Sequence, residues 1–507
     1  MPSGLFPRLS PFPAAWSGQI RTFGVGQTDQ DPPDCGRMDL YLEPGQRRGV
    51  SAALFEQIRA AVTSGRLAVG DRLPPTRELA EQLGVSRQTV TTVYGRLVAE
   101  GYLEGRAGGG TYVCGTAVPH GAAPVASVLR PVVPMRRRTP PQAPADGGFD
   151  LRIGRTDPAL FPLVEWRQCV TAVLAQPPES YGDPAGMLDL RRALAHWVGR
   201  SRGVETPPEH VIVTAGAQQA IDLVTRVLLR PGDHVAVEEP GYPSVREAWL
   251  AAGLRVTAVP VDEEGLIVDG VPADVRAIYT TPSHQSPTGA TMSLARRRAL
   301  LEFAETHDAA VIEDDYDSEH RHSDRPLEPL HRLDRAGRVL YVGTFAKNLA
   351  ASLRLGFLVV PGSLVEAVTA WRELIDVQPP ALTQQALHRF ITEGRLERHL
   401  RRTRRIYRER HDVVTDFVAA TCVAGLLRPG PTNHAGLHLS ALLPDGVTEA
   451  AVSAQARRRG VALSSYAECI TLPGTPAGLL LGFGLVSVDE LPPALAAVRQ
   501  ALEAAAS

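Results

Sequence analysis

Lys347 is the one lysine in a chain of 507 residues whose lysines and arginines together number 53. Arginine replaces lysine wherever a fixed positive charge is enough. Its guanidinium stays protonated and delocalised, so it cannot act as a neutral primary amine. The solitary lysine is therefore either a survivor of compositional bias or a retained nucleophile, and its neighbours decide. Gly343-Thr344-Phe345-Ala346 runs directly into it, and Arg354 follows. Upstream lie the acidic run Glu313-Asp314-Asp315-Tyr316-Asp317, the aromatic turn Pro240-Gly241-Tyr242-Pro243, and the small-residue stretch Thr214-Ala215-Gly216-Ala217-Gln218-Gln219-Ala220. Together these offer an amine, a carboxylate, a flat ring, and a helix opening whose N–H groups suit a phosphate.

Short apolar runs alternate with helical segments through this region, which predicts an α/β body on a parallel sheet. The strands are expected at His210–Thr214, His234–Glu238, Arg255–Val261, Ala277–Thr281, Ala310–Asp314, Val339–Thr344 and Leu355–Val360. Ligands of such sheets bind at the carboxyl ends of strands, and the polar segments above follow those ends. An imine between a lysine and a pyridine aldehyde needs an amine, an acid for the ring nitrogen, a phosphate cradle and a stacking surface. Lys347, Asp314, the Gly216–Gln218 turn with Arg354, and Tyr242 supply that set. The plainer alternatives are a solvated acidic loop at Asp314 and ordinary core packing for Tyr242 and Tyr316.

The N-terminal part reads differently. Leu54, Ile58, Ala61 and Val62 recur at helical spacing over Ser51–Ser64, and a second helix fits Thr76–Leu83. After the Gly84-Val85 turn, Ser86 is placed to cap a third helix that ends at Gly101. Tyr102–Glu104, the turn Gly108-Gly109-Gly110 and Thr111–Val113 form a hairpin pattern. Three helices and a hairpin make a winged helix-turn-helix, whose third helix enters the major groove by its N-terminal end. Ser86, Arg87 and Thr89 would lie there, with Arg77 on a phosphate and Gly109 letting the wing approach the minor groove. A winged helix used only for protein contacts is the alternative. Charge decides little, because residues 39–113 hold nine arginines against eight acids.

These readings divide the chain into an extension over 1–38, a DNA-binding unit over 39–113, a Pro- and Ala-rich linker over 114–148, and an α/β body over 149–507. The extension is expected to be disordered, or to be an over-long start ahead of Met38. Within the body, a large domain is expected over about 175–370 and a small C-terminal α+β part over about 371–507. Net charge is −2, and the five scattered cysteines suggest neither a disulfide frame nor a metal site. No apolar run approaches the ~18 residues of a membrane span. The expectation is a soluble, cytoplasmic protein without a metal and without a membrane partner.

The segment SGRLAVGDRLPPTRELAEQLGVSRQTVTTVYGRLVAEGYLEGRAGGGTYV resembles the GntR class of bacterial regulators. The body resembles fold type I aminotransferases, and YGDPAG, TAGAQQA, TPSHQSPTG, IEDDYDSEHR, YVGTFAKNLAASLRLGF and RHLRRTRRIYRERHD look like the MocR regulators, which join the two. The resemblance spans about 39–500. It implies pyridoxal 5′-phosphate (PLP) held as a Schiff base on Lys347, with Asp314 on the pyridine nitrogen, Tyr316 on the ring hydroxyl and Tyr242 stacked on the ring. It further implies Ala217, Gln218, Thr344 and Arg354 on the phosphate, and Tyr181 reaching the phosphate of a partner subunit. A head-to-tail homodimer on a double-stranded operator follows from the same resemblance.

Three positions depart from a working aminotransferase. Leu480, in Gly478-Leu479-Leu480-Leu481-Gly482-Phe483, stands where an arginine would clamp a substrate carboxylate. Ser286 precedes Pro287-Thr288-Gly289 where asparagine is usual, and Ala346 precedes the lysine where serine is common. Efficient transamination is thereby doubtful. Three readings result. One is a regulator sensing PLP, or an amine or amino acid that reacts with it. Another is an aminotransferase with a fused autoregulatory head, and the third is a DNA-binding protein whose body is only a dimerisation scaffold.

Overall fold

The computed structural model describes residues 21–24, 37–40, 49–114, 143–144, 147–177, 180–322, 328–431 and 435–506. The chain divides into two compact units, 1–132 and 133–507. The division falls inside the stretch expected as a linker, most of which lies outside the described residues.

In the first unit, strands β1 (Arg21–Gly24) and β2 (Arg37–Leu40) pair antiparallel. The expected disordered extension is corrected at these residues: backbone pairing of Gly24 with Arg37 and of Arg21 with Leu40 gives them strand structure, and β2 runs across the boundary drawn at 39. The rest of the extension lies outside the described residues. Helices α1 (Val50–Thr63), α2 (Thr76–Leu83) and α3 (Arg87–Ala99) follow. Leu54, Ile58, Leu79, Val90 and Leu97 are fully buried against one another, as the helical spacing requires. Gly84 ends α2 in the left-handed conformation (φ 66°), a position that suits glycine. Strands β3 (Leu103–Arg106) and β4 (Gly110–Val113) form the wing, with Leu103 opposite Val113.

The second unit opens with the short strand β5 (Phe149–Asp150). Its main sheet contains β6 (Val211–Thr214), β7 (His234–Glu239), β8 (Arg255–Asp262), β9 (Gly265–Leu266), β10 (Ala277–Thr280), β11 (Ala310–Asp315), β12 (Val339–Thr344) and β13 (Gly356–Val359). The order across the sheet is β6-β13-β12-β11-β10-β7-β8-β9. Every expected strand forms, with ends shifted by a residue or two. The expectation of an all-parallel sheet is corrected to a mixed one: β13 runs antiparallel to both β12 and β6, and β9 antiparallel to β8. Only the few residues from Phe345 to Leu355 separate β12 from β13, too few for a crossover, so the chain turns back on itself.

The last part adds β14 (His438–Leu442), β15 (Val461–Ala462) and β16 (Gly478–Gly482). β14 pairs with β16, and β15 pairs with β5, so the first residues of this unit belong with its last. Helix Ala381–Thr392, expected in the small part, packs instead in the large-domain core: Ala386, Leu387 and Phe390 are buried with Trp166, Val213 and Phe357. No described helix is long and apolar enough to cross a membrane.

Candidate functional site

The polar ends of the central strands converge on one cavity of about 400 Å³. β12 ends in Thr344, and Lys347 follows inside a single π-turn, Ala346–Ala350. Such turns are uncommon and redirect a side chain out of a helical path. Lys347 lines the cavity and donates from Nζ to the Gly154 carbonyl at 2.6 Å. Burial pushes its pKa below the ordinary lysine range, although Asp317 and Asp314 partly counter this. A lowered pKa leaves more of the neutral amine that attacks a carbonyl.

The three acids that end β11 have different fates. Glu313 accepts the backbone N–H groups of Leu330 and His331, each at 2.9 Å. Asp315 accepts Arg202 and the Tyr341 phenol, both at 2.6 Å. Asp314 alone lines the cavity. It accepts the Tyr279 phenol on Oδ2 at 2.7 Å, while its buried Oδ1 has no hydrogen-bond partner among the described residues. Burial raises its pKa to about 7, with the Tyr279 bond lowering it and Asp315 raising it further. A buried carboxylate with an open acceptor atom calls for a cationic donor. A protonated pyridine nitrogen meets that need, and a solvated acidic loop does not fit this burial.

A helix start forms another part of the cavity lining. Gly216 (φ 87°) turns β6 into helix Ala217–Leu228, so the Ala217 and Gln218 backbone faces the cavity from the helix start. Arg354 takes the left-handed conformation (φ 49°), rare for a residue with a side chain, and donates from Nη2 to Ala215 O at 2.6 Å. Thr344 also lines this wall. Tyr242 stands at the rim, 38% exposed. Tyr316 lines the cavity beside Ser286.

The structure thus brings Lys347, Asp314, Tyr316, Tyr242, Ala217, Gln218, Thr344 and Arg354 to one cavity. Tyr181 is 83% exposed and does not line it. Leu480 is fully buried on β16, across from Ser440 and bridged to Ser464, a cavity-lining residue. Of the lining residues only Lys347 and Arg354 are lysine or arginine. Sequence reasoning did not find Tyr279, Gly154, or the wall from the small part, Leu437, His438, Ser464, Ser465, Glu468 and Cys469. Tyr279 was findable, since it lies near the carboxyl end of β10, the strand beside β11, and carries a phenol in an otherwise apolar stretch. His284, Asp317 and His438, all buried, place one nitrogen or carboxylate oxygen each within 4.8 Å of one another. His284 Nδ1 lies 2.9 Å from Asp317, and His438 Nε2 donates to Pro287 O at 3.1 Å.

In the first unit, the Ser86 hydroxyl accepts the Thr89 backbone N–H at 3.1 Å, capping α3, and also meets Thr89 Oγ1 at 2.8 Å. Arg87 is exposed at that helix start. Arg77 is exposed on α2, 3.3 Å from Glu81. Gly109 sits at the wing tip, where the Tyr112 phenol donates to its carbonyl at 2.8 Å.

A family model described as "Aminotransferase class I and II" matches residues 155–476, and one described as "Bacterial regulatory proteins, gntR family" matches residues 50–113. The chain is 37% identical over 441 residues to the probable rhizopine catabolism regulatory protein MocR of Rhizobium meliloti, covering 85% of this chain and 89% of that protein. It is 34% identical over 465 residues to the HTH-type pyridoxine biosynthesis transcriptional regulator PdxR of Corynebacterium glutamicum, covering 92% and 98%. Among solved structures, an archaeal alanine:glyoxylate aminotransferase matches with a TM-score of 0.66 at 28% identity, over 70% of this chain and 91% of that one. LysN, an alpha-aminoadipate aminotransferase of Thermus thermophilus complexed with N-(5′-phosphopyridoxyl)-L-leucine, matches with a TM-score of 0.65 at 28% identity, over 70% and 92%. With a GntR winged helix ahead of a class I and II aminotransferase fold, and near-full-length likeness to named regulators, the chain belongs to the MocR-type transcriptional regulators.

Proposed function

We propose that this regulator holds PLP on Lys347 and that its DNA binding answers to PLP, or to an amine or amino acid that reacts there. One observation carries the reading: the chain's only lysine, a buried carboxylate oxygen without a partner among the described residues, and a helix start flanked by Arg354 line the same cavity. When bound, PLP supplies an aldehyde that condenses with primary amines and a pyridine ring that withdraws electrons. Lys347 provides the amine. Asp314 holds the ring nitrogen protonated, since an ion pair there fills its open acceptor position. The Ala217 and Gln218 N–H groups, Thr344 and Arg354 bind the phosphate, Tyr242 covers a ring face, and Tyr316 reaches the ring oxygen. The likeness to the LysN fold, complexed with N-(5′-phosphopyridoxyl)-L-leucine, supports this assignment.

The ligand side of the cavity, from Leu437 to Cys469, offers serines, His438 and Glu468 but no arginine to grip a carboxylate. That composition supports sensing over turnover. Tyr181, exposed on one chain, is suited to reach a partner's phosphate in a head-to-tail homodimer, which would present two heads to paired operator half-sites in the cytoplasm. Ser86, Arg87 and Thr89 read the groove, Arg77 holds a phosphate and Gly109 brings the wing close.

Borohydride reduction followed by peptide mapping tests the first step. A pyridoxyl tag on the peptide spanning Phe345–Leu349 is expected, and its absence sinks the cofactor assignment. A gel shift on the DNA upstream of this gene tests the second. Binding that changes with PLP or added amines is expected, and binding indifferent to both overturns the sensor.

A further inference from the structure

We infer that Asp317 and His284 set the direction of the Tyr316 phenol proton, aiming it at the ring oxygen of the cofactor and taking over the polarity usually supplied by asparagine at the Ser286 position. The inference rests on the cofactor reading above and adds Asp317 and His284, which that reading does not use.

His284 Nδ1 lies 2.9 and 3.0 Å from the two oxygens of Asp317, and all of these groups are buried. An ionised carboxylate only accepts, so this nitrogen must carry the hydrogen. The same nitrogen is 2.9 Å from the Tyr316 oxygen. A protonated ring nitrogen has no lone pair to accept from a phenol, so Tyr316 receives here and its own proton must point elsewhere. Ser286 lies beside Tyr316 in the cavity wall, and its hydroxyl lowers the phenol pKa, as a donor to that oxygen does. The remaining direction for the phenol proton is the cavity that Tyr316 lines. His284 Nε2, buried and without a partner among the described residues, is the bare nitrogen this tautomer predicts.

The surroundings hold the arrangement. The His438 ring lies 4.9 Å from His284, but its Nε2 hydrogen is committed to Pro287 O. A side chain at Gly436 (φ 82°) would overlap both His284 and Asp317, so the small part closes directly over the pair. Burial first, and then the carboxyl groups of Asp317, Asp314 and Glu238, raise the Tyr316 phenol pKa, while Lys347 lines the same cavity. Burial and these three acids together oppose a phenolate and keep the phenol protonated as a donor.

The test reads the pH midpoint of the visible absorption band in cofactor-loaded protein. Asp317→Asn can donate to Nδ1 and so favours the other tautomer, as the same change does in a catalytic triad. Tyr316 then turns its proton toward His284. The ring oxygen loses a donor and holds the neighbouring lysine-derived N–H more tightly, so the midpoint should rise by about one pH unit or more. Tyr316→Phe should raise it similarly, and adding Asp317→Asn to Tyr316→Phe should move it no further. If Asp317→Asn does not fold, His284→Phe replaces it, with a rise in the same direction expected. An unmoved midpoint in the folded variant, or full additivity with Tyr316→Phe, overturns the relay while leaving the cofactor assignment intact. A wild-type protein with no visible band overturns both.

Discussion

Tyr279 donates its phenol proton to one oxygen of Asp314 at 2.7 Å, and the other oxygen of that carboxylate is buried with no partner among the described residues. Two neighbouring strand ends thus hold a cavity-lining acid by one oxygen and leave the other without a partner among the described residues. The arrangement stores a cost in the cofactor-free protein that a cationic ring nitrogen would relieve.

Asp314→Asn separates these effects. Its folded pKa of about 7 lies above the ordinary value of 3.8, so ionisation opposes folding, and stability falls as pH rises from about 4 through 7. The cofactor-free Asn variant should therefore be more stable than the cofactor-free wild type at pH 8, with the gap closing toward pH 4. Its PLP affinity should drop about 10- to 100-fold through loss of a charge-assisted bond. Thermal unfolding across pH and absorbance titration with PLP read the two outcomes.

Gly216→Ala tests the phosphate cradle. Gly216 has φ 87°, and a Cβ there would stand 2.8 Å from Arg354 Nη2. Backbone strain should cost about 1–3 kcal/mol, and Arg354 must move. Affinity for PLP should fall much more than affinity for pyridoxal, which lacks the phosphate. Equal losses for both compounds would argue against a cradle at this turn.

Arg202→Ala probes the scaffold behind the site. Arg202 and Asp315 are paired at 2.6 Å with side chains 4% and 1% exposed. Burial alone would raise the Asp315 pKa, yet Arg202 and the Tyr341 phenol hold it below the ordinary value. Removing the arginine leaves a buried charge unpaired, at a cost of about 3–5 kcal/mol near neutrality. A depressed carboxylate stabilises above its unfolded pKa and loses that contribution as pH falls through the folded one. The gap between variant and wild type should accordingly shrink in acid below about pH 4. Denaturant unfolding at pH 7 and pH 3 measures it.

Ser86→Ala and Arg87→Ala divide stability from recognition in the head. The first removes the α3 cap and should cost the head about 1 kcal/mol. The second alters an exposed side chain and should leave unfolding unchanged while weakening operator binding. Gel shifts paired with thermal melts distinguish them.

Local rules carried much of this protein. The Ser86 cap, the Gly84 stop and the 3.6-residue spacing of Leu54, Ile58 and Val62 fix the head's helices within a few neighbouring residues, so they are legible in the sequence. The strands of the body were legible for the same reason. So was the lone lysine, because the ends of parallel strands already gather polar residues on one side of a sheet.

Tertiary structure decided what depends on residues far apart in the chain. The reversed direction of β13 leaves no trace in its composition, since a buried strand reads alike in either direction. Nor does the string Glu313-Asp314-Asp315 say which acid is free. Arg202 claims one, the Leu330 and His331 amides claim another, and Tyr279 takes half of the third. Sequence determined which functional groups exist and on which elements they ride. Packing assigned their partners, because a hydrogen bond is satisfied by whatever lies within about 3 Å, however distant in sequence.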